Sequence, residues 1–205
     1  MAKKHFRIGF DFDDVLVGTA DHVASLYNKE YGTHLTRDNW YNFNPITPWN
    51  VKTFSEVTSR VANLLYNLGE ARPLAGSQQV LSRLKDAGHE LFIITGRPES
   101  VRPQTLGILN KYYPGIFDNS SLYFTDHFSQ DGKRVEKSNL CNDLNLTHFI
   151  DDQVEHANIV AAEGVKTILF SDNYAWNQSG ADDNVIKLSS WQKIEEFFND
   201  EQRKT

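Results

Sequence analysis

Three carboxylates lie within four residues at the end of a predicted buried strand near the start of the chain. The apolar run from Phe6 to Phe10 is followed by Asp11, Phe12, Asp13 and Asp14. Carboxylates at this spacing raise one another's pKa unless a cation neutralises them. Alternation along an extended chain directs Asp11 and Asp13 to the same side, where two oxygen ligands suit Mg²⁺. A solvated acidic turn is the alternative interpretation.

The elements that would position these acids form a βα pattern. Helical patterns separate most of the apolar runs, which is typical of a parallel sheet covered on both faces. We therefore predict an α/β fold with a doubly wound, parallel, five-stranded sheet. The predicted strands are residues 6–10, 90–94, 122–124, 148–150 and 167–170.

A long interval without a convincing strand follows the acidic segment. Loops of this length are uncommon in compact domains unless they carry structure of their own. The interval contains predicted helices at residues 19–31 and 53–68, with a turn-rich, aromatic piece between them. We expect a small helical cap subdomain at residues 18–73, inserted into a core domain made of residues 1–17 and 74–205.

Further polar residues follow other predicted strands, at the sheet edge where α/β proteins bind ligands. The second strand leads into Thr95, Gly96 and Arg97, which offer a hydroxyl and backbone N–H groups to an anion. The fourth strand leads into Asp151–Asp152, and a lysine lies between the third and fourth strands. Each group alone is also typical of a turn or a helix cap. Occurring together in this order, they favour a site that binds Mg²⁺ and a phosphate.

These residues resemble the motifs of the haloacid dehalogenase (HAD) superfamily of phosphohydrolases. Residues 11–16 match its Asp-x-Asp-x-(Thr/Val)-(Leu/Val) motif, and Thr95 matches the Ser/Thr that ends the second strand. Lys137 matches the motif lysine, with Lys133 as the alternative, and Asp151–Asp152 match the acidic pair. A helical cap directly after the first motif is also a feature of one HAD class.

Within the superfamily, the chain looks most like the 5′(3′)-deoxyribonucleotidase-like branch, although well-studied nucleotidases tend to have Gly at Asp14 and Ser at Gly96. The resemblance implies Mg²⁺-dependent hydrolysis of a small phosphomonoester, a nucleotide in this branch, through an aspartyl-phosphate. The alternatives are a phosphatase for another small metabolite and a catalytically silent ligand-binding protein. The implied site consists of catalytic Asp11 and Asp13, phosphate-binding Thr95, Gly96, Arg97 and Lys137, and metal-binding Asp11, Asp13, Asp151 and Asp152.

Composition restricts the partners. The net charge is −6 and no long Lys/Arg run is present, so we expect no nucleic acid polymer as a partner. The single cysteine, Cys141, excludes an internal disulfide and fits a reducing cytoplasm. We expect no signal peptide and no membrane span, and homo-oligomerisation is left open. Some aromatic residues of the cap could stack on a substrate base, although such residues usually form a core: Trp40, Tyr41, Phe43, Trp49 and Phe54.

Overall fold

The computed structural model describes residues 4–39, 48–65, 71–127, 134–170, 174–177 and 179–204. Six strands form one parallel sheet in the order β3-β2-β1-β4-β5-β6. They are β1 (Arg7–Phe10), β2 (Glu90–Thr95), β3 (Leu122–Phe124), β4 (His148–Asp151), β5 (Lys166–Phe170) and β6 (Ile186–Leu188).

Seven α-helices lie within the described residues. They are α1 (Thr19–Tyr31), α2 (Phe54–Leu65), α3 (Ser77–Asp86), α4 (Arg102–Tyr112), α5 (Lys137–Asp143), α6 (Val154–Ala162) and α7 (Trp191–Arg203), and short 3₁₀ turns precede α4 and β3. Among these described elements, no helix combines the length and the apolar composition needed to span a bilayer.

The predicted parallel α/β sheet is confirmed, but its strand count was wrong. The sheet has six strands rather than five, because β6 adds a short edge strand beside β5. Its residues Ile186–Leu188 are only partly buried or exposed. A three-residue edge strand of this kind lacks the continuous apolar run by which the other strands were predicted.

The order of the strands places the sequence-predicted site near the middle of the sheet. β1 pairs with β2 on one side and with β4 on the other. The side chains of Ile8 and Phe10 are fully buried, so β1 lies within the core. Since all strands run in the same direction, the residues that follow β1, β2 and β4 meet at one edge.

The turn after β1 is held by hydrogen bonds from distant parts of the core. The Trp191 indole donates to the Val15 carbonyl at 2.9 Å, and the Tyr113 hydroxyl donates to the Leu16 carbonyl at 2.7 Å. The first bond pairs the buried Val15 carbonyl, and the second adds to the bond that the Leu16 carbonyl accepts from the Leu74 amide at 2.8 Å. They fix the path of the chain directly after the acidic residues.

The chain leaves this turn and returns to it along neighbouring paths. Val17 forms an antiparallel bridge with Pro73, and the Gly18 amide donates to the Arg72 carbonyl at 3.0 Å. Helices α1 and α2 lie between these two points in the sequence and contact each other. The boundaries of the cap at residues 18 and 73 stay a prediction, supported by this close approach.

Candidate active site

Asp11 lies at the centre of the edge formed by the strand ends. Its amide donates to the Ile150 carbonyl at 2.8 Å, which extends the β1–β4 pairing by one residue. Its carboxylate is buried, and an ion pair of 2.9 Å joins its Oδ1 to Nζ of Lys137. Burial raises the pKa of Asp11 to about 6, helped by the charges of Asp151 and Asp13 and opposed by Lys137.

Lys137 joins two of the strand ends. It is the first residue of α5, it is buried, and its Nζ also donates to Oδ2 of Asp151 at 2.7 Å. Burial alone would lower the pKa of Lys137, but the charges of Asp11 and Asp151 raise it above its usual value. Lys137 therefore carries a positive charge between two acids. Lys133, the alternative motif lysine, lies outside the described residues.

Three buried acids could hold a metal ion. One carboxylate oxygen from each of Asp11, Asp151 and Asp152 lies within 4.8 Å of the others. Burial raises the pKa of Asp152 well above its usual value, and the charges of Asp151 and Asp11 add to this effect. Burial would raise the pKa of Asp151, but Lys137 and His156 together outweigh burial and lower that pKa.

Asp151 and Asp152 differ in how many hydrogen bonds their carboxylates accept. Asp151 already bonds Lys137 through Oδ2, and its Oδ1 accepts from the Gln153 amide at 2.9 Å. Oδ1 of Asp152 is buried and has no hydrogen-bond partner among the described residues. An orphaned carboxylate oxygen beside two other acids is costly without a cation. The group therefore fits a divalent metal with oxygen ligands, and Asp152 is its most available carboxylate.

Asp13 is bound by an arginine rather than lying free at the edge. The Arg97 guanidinium donates to Asp13 through Nε at 2.9 Å and through Nη2 at 2.7 Å, and Thr19 donates its hydroxyl to the same carboxylate. Burial would raise the pKa of Asp13, but Arg97 and Thr19 outweigh it and lower that pKa. Asp13 is therefore a carboxylate in this arrangement.

Arg97 was predicted to bind phosphate, and in the structure its guanidinium bonds other groups of the protein. Its guanidinium is buried, with Nη1 donating to the Thr105 hydroxyl at 3.1 Å and its carbon 4.4 Å above the Phe12 ring. The donors Nε, Nη1 and Nη2 are thus engaged within the protein. Here the guanidinium binds the Asp13 carboxylate, and its binding of phosphate stays a prediction.

Thr95 and Gly96 form the turn at the end of β2. Thr95 is fully buried, and its hydroxyl accepts from the Arg97 amide at 3.2 Å. The Gly96 carbonyl accepts from the His127 amide at 3.1 Å, which ties this turn to the segment after β3. The turn lies beside Asp11 and Asp13 through the β1–β2 pairing. It could present a hydroxyl to a phosphate at this edge.

Asp14 bonds the backbone at the start of α1. Its backbone is left-handed, with φ of 55°, and its carboxyl accepts from the Ala20 amide at 3.0 Å in the first turn of α1. Burial raises the pKa of Asp14 to about 8, and the Asp13 charge adds to the increase. Asp14 therefore serves the start of α1 rather than the metal site.

The five candidate stacking aromatics of the cap divide into three groups. Trp40, Tyr41 and Phe43 lie outside the described residues. Trp49 is fully buried and packs edge-to-face on Tyr27, so it belongs to the core of the cap. Phe54 is 49% exposed, and of the two described candidates it alone offers an accessible ring.

Two groups near the site were not assigned to it from the sequence. His156 places Nδ1 3.6 Å from Oδ2 of Asp151, and its ring lies 5.2 Å from the ring of His127. Trp176 and Asn177, which follow β5, both donate to the backbone carbonyl of Asp152. Their place after a strand was a weak signal, since nothing in the sequence shows which carbonyl a loop side chain bonds.

Comparison with known proteins gives curated relatives over nearly the whole chain. A protein of Bacillus cereus named "Putative nucleotidase" is 23% identical over 203 residues, covering 95% of this chain and 99% of the relative. A Bacillus subtilis protein named as the same kind of enzyme is 24% identical, covering 94% of this chain and 93% of its own. No family model matches the chain.

Solved structures share the fold at low sequence identity. A structure from Lactobacillus delbrueckii, described as a "putative phosphoglycolate phosphatase", has a TM-score of 0.65 at 16% identity. The match covers 95% of this chain and 98% of that one. A HAD family hydrolase from Deinococcus radiodurans, solved with bound phosphate and sodium, has a TM-score of 0.63 at 16% identity and covers 94% of each chain. The shared fold is that of HAD-family hydrolases, and together with the sequence relatives it supports the resemblance carried by the motifs.

Proposed function

We propose that the protein is a Mg²⁺-dependent phosphomonoester hydrolase that acts on (deoxy)nucleoside monophosphates through an aspartyl-phosphate. One observation carries the phosphatase proposal. A buried carboxylate, Asp11, is paired with a buried lysine beside two further acids, and a second carboxylate lies two residues away. This arrangement combines a nucleophile, a cation for phosphate oxygens, a metal site and a proton carrier.

In the first step of the proposed reaction, a carboxylate oxygen of Asp11 attacks phosphorus. The bond to the leaving oxygen breaks, and the phosphoryl group is attached to Asp11. Lys137 lies close enough to Asp11 to bind an oxygen of the transferring group, and the hydroxyl of Thr95 could bind another. Preorganised donors of this kind can each contribute about 3 kcal/mol. A Mg²⁺ ion held by Asp11, the Asp13 carbonyl and Asp152, with Asp151 in support, would polarise the phosphoryl oxygens.

In the second step, water hydrolyses the aspartyl-phosphate. Asp13 takes a proton from the water, having given one to the leaving alkoxide in the first step. The ion pair with Arg97 keeps Asp13 ionised, which suits its role as a base. To act as the acid it must first gain a proton, so its bond to Arg97 has to weaken when substrate is bound.

The nucleotide assignment is supported by the curated relatives. Both bacterial proteins carry nucleotidase names and match at least 93% of their own length. Two features leave other small phosphomonoesters as an alternative. Asp14 and Gly96 differ from the residues usual in well-studied nucleotidases, and of the two described cap candidates for base stacking only Phe54 is accessible.

A substrate screen tests this proposal. Phosphate release would be measured for nucleoside monophosphates, sugar phosphates and a generic aryl phosphate, each with and without Mg²⁺. We expect Mg²⁺-dependent release, fastest with the nucleotides. Preference for another metabolite would reject the nucleotide assignment, and no release from any of them would favour the silent ligand-binding alternative.

Two variants test the roles of the acids. Asp11→Asn should abolish phosphate release, because the amide cannot attack phosphorus, and retained turnover would reject Asp11 as the nucleophile. Asp13→Asn should trap a phosphoenzyme that is stable to gel filtration and visible by mass spectrometry, and normal hydrolysis would reject the acid/base role. Asp143→Asn, at an exposed carboxylate on α5, is the matched control and should leave turnover unchanged.

A further inference from the structure

The segment Tyr174–Asn177 bonds the backbone of the turn that carries the metal-binding acids. Nδ2 of Asn177 donates to the Asp152 carbonyl at 2.7 Å, and the Trp176 indole donates to the same carbonyl at 3.2 Å. Oδ1 of Asn177 accepts from the Val154 amide at 2.9 Å. A single side-chain amide therefore bridges the residues on both sides of Gln153.

This bridge also completes the start of α6. The helix begins at Val154, and its N-cap residue Gln153 makes no side-chain capping bond. The first amides of a helix need acceptors from outside the helix. Asn177 supplies one from a distant part of the chain, so the same residue caps α6 and holds the carbonyl of Asp152.

The Asp152 carboxylate is crowded by two other acids. It is buried, one of its oxygens lies within 4.8 Å of carboxylate oxygens of Asp11 and Asp151, and its Oδ1 has no hydrogen-bond partner among the described residues. Since its Oδ1 is not held by the protein, the direction of that carboxylate depends on the backbone of the turn. The bonds from Asn177 and Trp176 are made to that backbone.

We propose that Asn177 is a positioning residue for the divalent-metal site. It holds the Asp151–Val154 turn so that the Asp152 carboxylate faces Asp11 before the metal arrives. This inference rests on the proposed function, in which Asp11 and Asp152 share a metal ion. Residues that hydrogen-bond a metal ligand without touching the metal typically change metal affinity by about 10–100-fold when they are substituted.

Direct metal binding tests the proposal without any need for turnover. Binding of Mg²⁺ by calorimetry and of Mn²⁺ by electron paramagnetic resonance would be measured for the wild type and Asn177→Ala. We expect the dissociation constant to rise about tenfold or more in the variant. In kinetic assays, the Mg²⁺ concentration for half-maximal activity should rise, while kcat at saturating Mg²⁺ is largely recovered. A side chain with only a stabilising role would lower the melting temperature without this split.

Two further variants complete the design. Asn158→Ala is the matched control, because the Asn158 side chain also accepts a hydrogen bond from a backbone amide, that of Asp182, but lies later in α6, outside the Asp151–Val154 turn. Its metal affinity should equal that of the wild type. Trp176→Phe removes the second donor to the Asp152 carbonyl and keeps an aromatic ring, so it tests the same bond if Asn177→Ala does not fold. We expect it to weaken metal binding severalfold.

The outcomes distinguish this inference from the proposed function. If the wild type binds neither Mg²⁺ nor Mn²⁺, the metal-dependent function itself fails. If the wild type binds metal and both Asn177→Ala and Trp176→Phe bind it with unchanged affinity, the metal site is correct and the positioning role of Asn177 is wrong. An equal loss of affinity in Asn158→Ala would also overturn the inference, since it would indicate a general effect of destabilising α6.

Discussion

His148 gives the fold a pH dependence that can be worked out from its surroundings. It lies in β4, is 3% exposed, and is enclosed by the rings of Phe6, Phe197 and Phe198 at centroid distances of 4.8–5.8 Å. Nδ1 lies 2.8 Å from the Thr147 hydroxyl, and Nε2 has no hydrogen-bond partner among the described residues. Burial in this aromatic setting, reinforced by the charge of Lys166, lowers the pKa of His148 from 6.5 to about 4.

The sign and size of the effect follow from this shift. The folded state binds a proton at His148 less readily than the unfolded state does, so stability is complete above pH 6.5 and is lost as the pH falls towards 4. A shift of this size corresponds to about 3 kcal/mol in total, of which about 2 kcal/mol is lost between about pH 7 and pH 5. Protonated His148 would be buried among aromatic rings, and the charge of Glu201 offsets only part of the cost of that burial.

Urea denaturation of the wild type and His148→Leu at about pH 7 and pH 5 measures this contribution. Other groups titrate over the same range, so the informative quantity is the difference between the two pH-dependent losses. We expect the variant to lose about 2 kcal/mol less than the wild type. His34→Gln, which replaces an exposed histidine, should lose as much as the wild type. Parallel losses in the wild type and His148→Leu would refute the argument.

Three further variants test packing and the arginine at the site. Gly9→Ala should destabilise the fold by about 1–3 kcal/mol in urea, because its Cβ would overlap Leu146 and lie 2.9 Å from Phe149. Gly107→Ala on α4, with no atom within 4 Å of its Cβ, should stabilise it by about 0.5–1 kcal/mol. Arg97→Met should cost about 2 kcal/mol, because it leaves a partly buried carboxylate without its counter-charge. It should also slow turnover in steady-state assays, and unchanged values of both would contradict the proposed ion-pair role.

The strands were predictable because each is a short, nearly continuous apolar run with a polar end. The first five lie within one residue of their predicted bounds, and α1 has the predicted bounds 19–31. No element was predicted after residue 170, although β6 and α7 lie there. The signal for α7 was present, since Ser190 accepts from the Lys193 amide as its N-cap. β6 gives a weaker signal than β3, the other three-residue edge strand, because Lys187 interrupts its apolar residues, whereas β3 is an unbroken apolar run.

The positions of the site residues were predictable from topology, but their directions were not. Because parallel strands end at the same edge of the sheet, Asp11, Thr95 and Asp151 lie there regardless of how their side chains are oriented. Which anion Arg97 would bind depended on Asp13, which is 84 residues away in sequence. The strand-end pattern could not show that this carboxylate lies near enough to bind Arg97. The bond from Asn177 to the backbone of Asp152 is a contact of the same long-range kind.

The separate partners of Asp11, Asp13 and Asp14 explain how three acids can lie within four residues. Asp11 is paired with Lys137, Asp13 is paired with Arg97, and Asp14 accepts from the backbone of α1. The backbone at residue 14 is left-handed, with φ of 55°. Aspartate, asparagine and glycine tolerate this conformation best. Because the pKa of Asp14 is about 8, its carboxyl is mostly protonated at neutral pH and acts through a neutral acceptor oxygen.

A neutral acceptor can be supplied equally well by an amide, so Asp14→Asn should fold normally. The pKa of Asp14 is raised from 3.8 to about 8, so the folded state holds its proton more tightly than the unfolded state, and wild-type stability falls as the pH rises between these values. The variant avoids this loss. Its advantage in urea denaturation should be small at about pH 4 and exceed about 1 kcal/mol at about pH 8. Asp118→Asn is the opposite control, since bonds from Ser120 and Ser121 lower the pKa of Asp118. A pH-independent difference between Asp14→Asn and the wild type would refute this argument, because it would show that the pKa of Asp14 is not raised in the folded protein.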